Sequence, residues 1–229
     1  MKRAKMGEDD PFRRARERMV AEQLSRRNIT DPGVLKAMRT IPRHRFVPPD
    51  LDRLAYSDAP LPIGHRQTIS QPYIVAFMTQ LLGLRGDETV LEIGTGSGYQ
   101  AAVLSAVAGR VISLERIAEL AEGARRVLAD LGLDNVEVHV ADGSAGWPEA
   151  APFQGILVAA AAPKVPPPLL DQLAEGGRLV VPVGGSEGQV LERWTRREGA
   201  LECVRESAVS FVPLVGAHGW RSDPRPIED

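Results

Sequence analysis

Thr89-Val90-Leu91-Glu92-Ile93-Gly94-Thr95-Gly96-Ser97-Gly98-Tyr99-Gln100 reads as a short buried strand over 90–93, a glycine turn, and a helix over 99–108. Glycines at 94, 96 and 98 lack the Cβ atoms that would hold a ligand off the main chain, and they admit positive φ at the turn. A dinucleotide site usually spaces its glycines G-x-G-x-x-G; here the third follows the second after two residues, not three. That departure favours S-adenosylmethionine over NAD. A turn that only packs strand against helix has the same composition, so a second feature is needed. Arg110 to Glu115 supplies it: a strand ending in a carboxylate about twenty residues past the first glycine, where a doubly wound fold holds ribose hydroxyls. The alternative for Glu115 is an ordinary solvated charge at a strand end.

The 229 residues are 43% hydrophobic and 25% charged, an ordinary globular balance that supports one core and one domain. A net charge of -2 and a pI near 6.1 leave no basic excess of the kind phosphate-backbone binding demands, so nucleic acid is not expected as a partner. Cys203 is the single cysteine, no Cys/His cluster has metal-ligand spacing, and no apolar run approaches the ~20 residues that span a bilayer. The expectations are a monomer in a reducing cytoplasm, with no metal and no membrane contact.

Residues 1–70 read as an N-terminal lobe of helices ending in an active-site loop, 71–216 as the core, and 217–229 as a loose tail. Residues 1–11 are polar and expected to fray. Arg13, Arg14, Arg16 and Arg18 share a helix with Met19, Val20 and Leu24, and this basic cluster reads as a solvated face. Thr30-Asp31-Pro32 caps the next helix, and 41–49 reads as extended. Residues 56–73 read as a long irregular segment, of the kind that tends to be functional. Ser70, just before a helix over 72–82, sits where an N-cap belongs, a role compatible with a catalytic one.

Beyond the glycine turn the pattern gives a helix over 117–131, strands over 136–140, 155–160 and 178–183, and a helix over 167–174. Two longer β segments, 189–196 and 201–212, read as a C-terminal antiparallel hairpin. The fold class is therefore α/β: a doubly wound, mostly parallel sheet of the Rossmann-like class I methyltransferase type, with an N-terminal helical lobe. Gly94, Glu115 and Asp142 all fall at carboxyl ends of strands, where such sheets bind ligands. Asp142 could take an adenine amino group or simply form an Asp-Gly turn with Gly143.

Methyl transfer from a sulfonium is an in-line displacement, so a site must chiefly align the nucleophile and exclude water. Amine nucleophiles on nucleobases or glutamine are often held, in related enzymes, by an Asn/Asp-Pro-Pro-Tyr/Phe loop after the fourth strand, where this chain has Ala160-Ala161-Ala162-Pro163. A carboxylate acceptor is already ionised at pH 7, needs no base, and asks only for hydrogen-bond donors such as the Ser70 hydroxyl or free backbone N–H groups near a helix start.

The runs 58–64, 68–73, 90–100, 176–184 and 211–216, with Met19-Val20-Ala21-Glu22-Gln23-Leu24, resemble the protein-L-isoaspartate O-methyltransferase family over roughly 18–216. Thr68-Ile69-Ser70-Gln71-Pro72-Tyr73 is the most specific of them. The resemblance implies S-adenosylmethionine-dependent methylation of the free α-carboxylate of L-isoaspartyl residues in damaged proteins and peptides, which starts repair through a succinimide. It implies that Ser70 is the active-site serine and orients that carboxylate. It further implies that Thr68 and Ile69 belong to a loop over the cofactor, that Glu92, Gly94 and Gly96 form the first cofactor motif, that Glu115 holds the ribose, and that Asp142 and Gly143 contact adenine. Three residues depart from the family pattern: Arg66 stands for a usual glycine, Gln154 for a usual Asp, and Val75 for a histidine of animal members. Rival readings are a same-fold methyltransferase for a small-molecule carboxylate or hydroxyl, a non-catalytic S-adenosylmethionine-binding protein, and an NAD-dependent dehydrogenase, the last disfavoured by the glycine spacing.

Overall fold

The computed structural model describes residues 11–223. In the N-terminal lobe α1 (Arg13–Arg18) widens into a π turn over Met19–Leu24 and is followed by α2 (Pro32–Thr40). Asp31 caps α2 by accepting the Val34 amide at 2.9 Å, and Pro32 takes the first position, where no N–H is needed. Met19, Val20 and Leu24 are buried, as their spacing requires. Arg16 is buried with them, so the basic cluster is not wholly a solvated face. Its Nε donates to the Arg39 carbonyl at 2.7 Å and a terminal nitrogen donates to the Tyr56 hydroxyl at 3.2 Å.

Residues 41–49, expected to be extended, include a tight helical turn at Arg43–Phe46. Arg43 is fully buried there. Its Nε donates to the Ala55 carbonyl at 2.7 Å and its guanidinium lies 4.8 Å from the centre of the Tyr99 ring, which Phe46 meets edge-on at 5.5 Å. Burial pulls the Arg43 pKa down to about 10, which leaves it charged at neutral pH. The lobe thus grips the first residue of the helix that follows the glycine turn.

The segment 56–73, expected to be irregular, contains a hairpin: β1 (Leu61–Gly64) pairs antiparallel with β2 (Gln67–Ile69). His65 and Arg66 form its two-residue turn with φ of 51° and 56°, the left-handed pair that a tight hairpin twist demands. Glycine would adopt that conformation without strain, whereas arginine carries a Cβ that costs about 1–2 kcal/mol there.

The core is α3 (Pro72–Leu82), β3 (Thr89–Ile93), α4 (Tyr99–Ser105), β4 (Arg110–Glu115), α5 (Ala118–Asp130), β5 (Val136–Val140), β6 (Phe153–Val158), α6 (Pro167–Asp171), β7 (Leu173–Gly185), β8 (Gly188–Arg197) and β9 (Ala200–Val209). α6 is shorter than the pattern suggested because Leu173 already pairs with Phe153. α4 stops at Ser105, whose hydroxyl turns back onto the Ala102 carbonyl at 2.7 Å. The seven core strands lie in the order β5-β4-β3-β6-β7-β8-β9, parallel through β7 and antiparallel from β7 to β9.

Alternation along each parallel strand supplies two cores. Val90, Val111, Leu157 and Val180 pack towards α3 and α4, while Leu91, Ile112, Ile156 and Leu179 pack towards α6 and Leu214. Because the chain builds outward from β3 to β5 and then returns to lay β6 on the other side of β3, a crevice opens at the carboxyl edge between β3 and β6. Residues 217–223 are tied back onto the core beside it and are not loose. The Ala217 amide donates to Asp142, the His218 amide to Ser144 at 3.0 Å, and the Trp220 indole to the Ala161 carbonyl at 3.0 Å. The rest of the expected tail, 224–229, and nearly all of the expected frayed start lie outside the described residues.

Candidate active site

A cavity partly open to solvent occupies that crevice. Its floor is the glycine turn, with φ of 93° at Gly94, 53° at Gly96 and 89° at Gly98. Gly98 is the N-cap of α4, and a Cβ there would come within 3.1 Å of the Ala124 Cβ on α5. The third glycine is therefore fixed by where the helix must start, two residues after Gly96.

Glu115 closes β4 at the edge of the cavity and is 7% exposed. The Gly96 amide donates to its Oε2 at 2.9 Å and the Ile117 amide to its Oε1 at 3.0 Å. Each oxygen retains a lone pair for an outside donor, so the carboxylate is held ready to accept two neighbouring hydroxyls. A solvated strand-end charge would not be tied this way.

Glu92 does not line the cavity. It is fully buried behind the turn, where it accepts the Ser113 hydroxyl, itself 2.5 Å from the Thr95 hydroxyl. Burial pushes its pKa up to about 8; the Ser113 hydrogen bond opposes this, the Glu115 charge adds to it, and the Ala101 amide opposes it. The folded protein thus keeps a proton on Glu92 that the unfolded chain loses near pH ~4.3. Stability from this group is full below the unfolded value and is lost as pH rises to about 8. Glu92→Gln mimics the neutral acid and escapes that loss. Melting temperatures measured from pH 5 to 9 should show the variant gaining on the wild type as pH rises; parallel curves would mean that Glu92 is ionised throughout.

Thr68, Ile69 and Ser70 reach the cavity from the end of β2. Gln71, not Ser70, is the N-cap of α3, and the Ser70 hydroxyl forms no hydrogen bond among the described residues. Its position one residue earlier frees it from the capping role that the sequence suggested. Gly143 lines the cavity, whereas Asp142 does not. Asp142 Oδ1 accepts the amide and hydroxyl of Ser144 at 2.9 and 2.6 Å, and Oδ2 accepts the Ala217 amide at 2.7 Å. Partial burial works against ionisation, but the Ser144 hydroxyl and the Ala217 and Ser144 amides hold the Asp142 pKa below its usual value. One of its roughly four lone-pair positions stays open.

Two parts of the wall carry no expected role. Residues 211–215 run beside 160–162, with the Ala161 amide donating to the Val212 carbonyl at 2.7 Å and the Leu214 amide to the Ala161 carbonyl at 2.8 Å. β9 has already ended at Val209, and Pro213 is the one local signal that the chain leaves regular pairing there. Asp223 also reaches the cavity, 3.9 Å from Arg66, and nothing in its neighbourhood of sequence announces it. Of the other departures, Gln154 accepts the Thr89 amide at 2.9 Å, a task an aspartate could share, and Val75 lines the cavity as an apolar wall. Among the described residues no group of three or more His, Cys, Asp or Glu is placed to hold a metal, and no helix is long and apolar enough to cross a membrane.

The sequence model of the protein-L-isoaspartate(D-aspartate) O-methyltransferase family matches residues 14–219. A protein-L-isoaspartate O-methyltransferase of Methanoculleus marisnigri is 54% identical over 219 residues, covering 96% of this chain and all of the relative. One from Syntrophobacter fumaroxidans is 57% identical over 209 residues, covering 91% of this chain and 98% of the relative. Among solved structures, a protein-L-isoaspartate O-methyltransferase superposes with a TM-score of 0.80 at 31% identity, covering 89% of this chain and 67% of its own. A structure from Plasmodium falciparum, described as a protein-L-isoaspartate O-methyltransferase in complex with S-adenosyl-L-homocysteine, superposes at 0.75 and 27% identity, covering 86% and 96%.

Proposed function

This chain belongs to the protein-L-isoaspartate(D-aspartate) O-methyltransferase family, and from that premise we propose that Gly94, Gly96, Glu115 and Gly143 hold S-adenosylmethionine while Ser70 orients the isoaspartyl carboxylate. The activity is S-adenosylmethionine-dependent methyl transfer to the free α-carboxylate of L-isoaspartyl residues in damaged proteins and peptides, the first step of repair through a succinimide. The observation that carries the site assignment is the convergence of two distant segments on one cavity: Thr68–Ser70 from the N-terminal lobe, and the glycine turn with Glu115 from the core.

The residues present fit the cofactor. Glu115 has open lone pairs where ribose hydroxyls would lie, and the left-handed turn keeps side chains off the main chain at Gly94 and Gly96. When bound, S-adenosylmethionine supplies a methyl group on a sulfonium. The acceptor carboxylate is ionised near pH 7, so the chain has no proton to remove and Ser70 acts as a donor, not as a nucleophile. Thr68 and Ile69 from the N-terminal lobe and Val212 to Val215 from the core both line the cavity, walls that would shield the reacting atoms from water once the ligands fill it. Asp142 shapes this arrangement indirectly, by ordering the turn that presents Gly143 and by tying Ala217 across it. Action as a monomer in the cytoplasm, without nucleic acid as partner, belongs to the same proposal, supported by the net charge of -2 and the single exposed cysteine.

The test is methyl transfer from labelled S-adenosylmethionine to two peptides of one sequence, with L-isoaspartate or L-aspartate at a single position. Label confined to the isoaspartyl peptide, released by base, is the expected result. Cofactor binding without labelling of either peptide would point to a small-molecule acceptor.

A further inference from the structure

We propose that Gln100 is an acceptor for the α-ammonium group of the cofactor and that Thr79 holds it in that orientation. This rests on the reading of the cavity as an S-adenosylmethionine site. Gln100 sits in the first turn of α4, lines the cavity and is 9% exposed. Its amide nitrogen donates to the Thr79 hydroxyl at 2.9 Å, and that hydroxyl donates to the Val75 carbonyl one turn back in α3 at 2.8 Å.

A hydroxyl has a single proton. With that proton on Val75, Thr79 can only accept, so the edge of the Gln100 amide facing it must be the NH2. The carbonyl oxygen takes no hydrogen bond from the described residues, and the residue opens onto the cavity. A fixed carbonyl at the wall of a ligand cavity offers an acceptor to a donor on the ligand, in place of the water that otherwise satisfies it.

Sheet order says which donor. Along the carboxyl edge the strands run β5, β4, β3, β6, spaced by ~4.8 Å. Gly143 follows β5 and Glu115 ends β4, which places the adenine and ribose hydrogen-bond donors on that side. α3 packs against β6 and β7 and α4 against β4 and β5, and the Gln100–Thr79 bond joins the two helices, so the Gln100 amide is turned to the α3 edge of α4, away from Gly143. The one remaining donor of S-adenosylmethionine is its α-ammonium. Neither α3 nor α4 carries an acidic residue, and Val75 and Met78 make the adjoining wall apolar, so a neutral oxygen is the acceptor that this wall offers the ammonium.

Calorimetry with S-adenosylhomocysteine and with the thioether that lacks only its α-amino group tests this without any methyl acceptor. Wild type should prefer the amine by about tenfold to a hundredfold, the range for a hydrogen bond to a charged group. Gln100→Leu should lose most of that preference while binding the deaminated thioether as wild type does. Thr79→Val, which keeps the shape of threonine but frees the amide to turn, should lose part of it and carries the comparison if Gln100→Leu fails to fold. An undiminished preference for the amine in the variants, or an equal loss for both ligands, would overturn the role of Gln100. Failure of the wild type to bind either thioether would overturn the cofactor reading itself.

Discussion

Glu115→Ala is expected to weaken binding of S-adenosylmethionine and S-adenosylhomocysteine by about a hundredfold or more, the largest loss from any single side chain of the cavity. Two hydrogen bonds to a charged acceptor contribute about 1.5–3 kcal/mol each. The Gly96 and Ile117 amides fix the carboxylate before any ligand arrives, so little of that is given back in ordering it. The variant should still fold. It leaves two backbone amides without their acceptor, a loss of about 1–3 kcal/mol each at most, reduced because water can reach them from the cavity. Glu115→Gln separates charge from shape: its NH2 must face one of the two amide donors, so affinity should fall to an intermediate value. Calorimetric affinities for S-adenosylhomocysteine, set beside melting temperatures, check both variants. Wild-type affinity in Glu115→Ala would place the ribose elsewhere.

The parts of this site that could be read from sequence are those in which backbone geometry dictates residue type. The turn at Gly94, Gly96 and Gly98 is left-handed at all three positions, which all but glycine resist, so its composition announces its shape. The parallel strands are buried on both faces and stand out as apolar runs. That same two-sided burial hides the roles of their carboxylates. Glu92 and Glu115 both lie in apolar strands, yet one is sealed behind the turn and the other faces the cavity, a difference set by strand register and by the Ser113 and Gly96 contacts. The β1–β2 hairpin was illegible because His65-Arg66 takes a left-handed turn without the Asn-Gly or Asp-Gly that usually marks one. Residues 217–223 looked like tail because what holds them, Asp142, Ser144 and Ala161, is about 59–75 residues away in sequence. Long-range side-chain ties of this kind leave no periodic trace.

Ser70→Ala is expected to lower turnover on an isoaspartyl peptide by about tenfold to a hundredfold, the worth of one hydrogen bond to a charged carboxylate. Its effect on melting temperature should be small. A serine that capped α3 would cost about 1 kcal/mol on removal, but the cap position belongs to Gln71 and the Ser70 hydroxyl has no hydrogen bond among the described residues to lose. This freedom is what links structure to chemistry at this residue: a hydroxyl on the cavity wall, not committed to the helix, is available to an incoming carboxylate. Ser70→Thr keeps the hydroxyl and should retain more activity than alanine, whereas a purely steric role would make threonine the worse of the two. Affinity for S-adenosylhomocysteine should change little in either variant, since Glu115 and the glycine turn are untouched. If that affinity fell by the same factor as turnover, Ser70 would be holding the cofactor and not the acceptor; if turnover did not change, the carboxylate would be oriented by backbone amides alone.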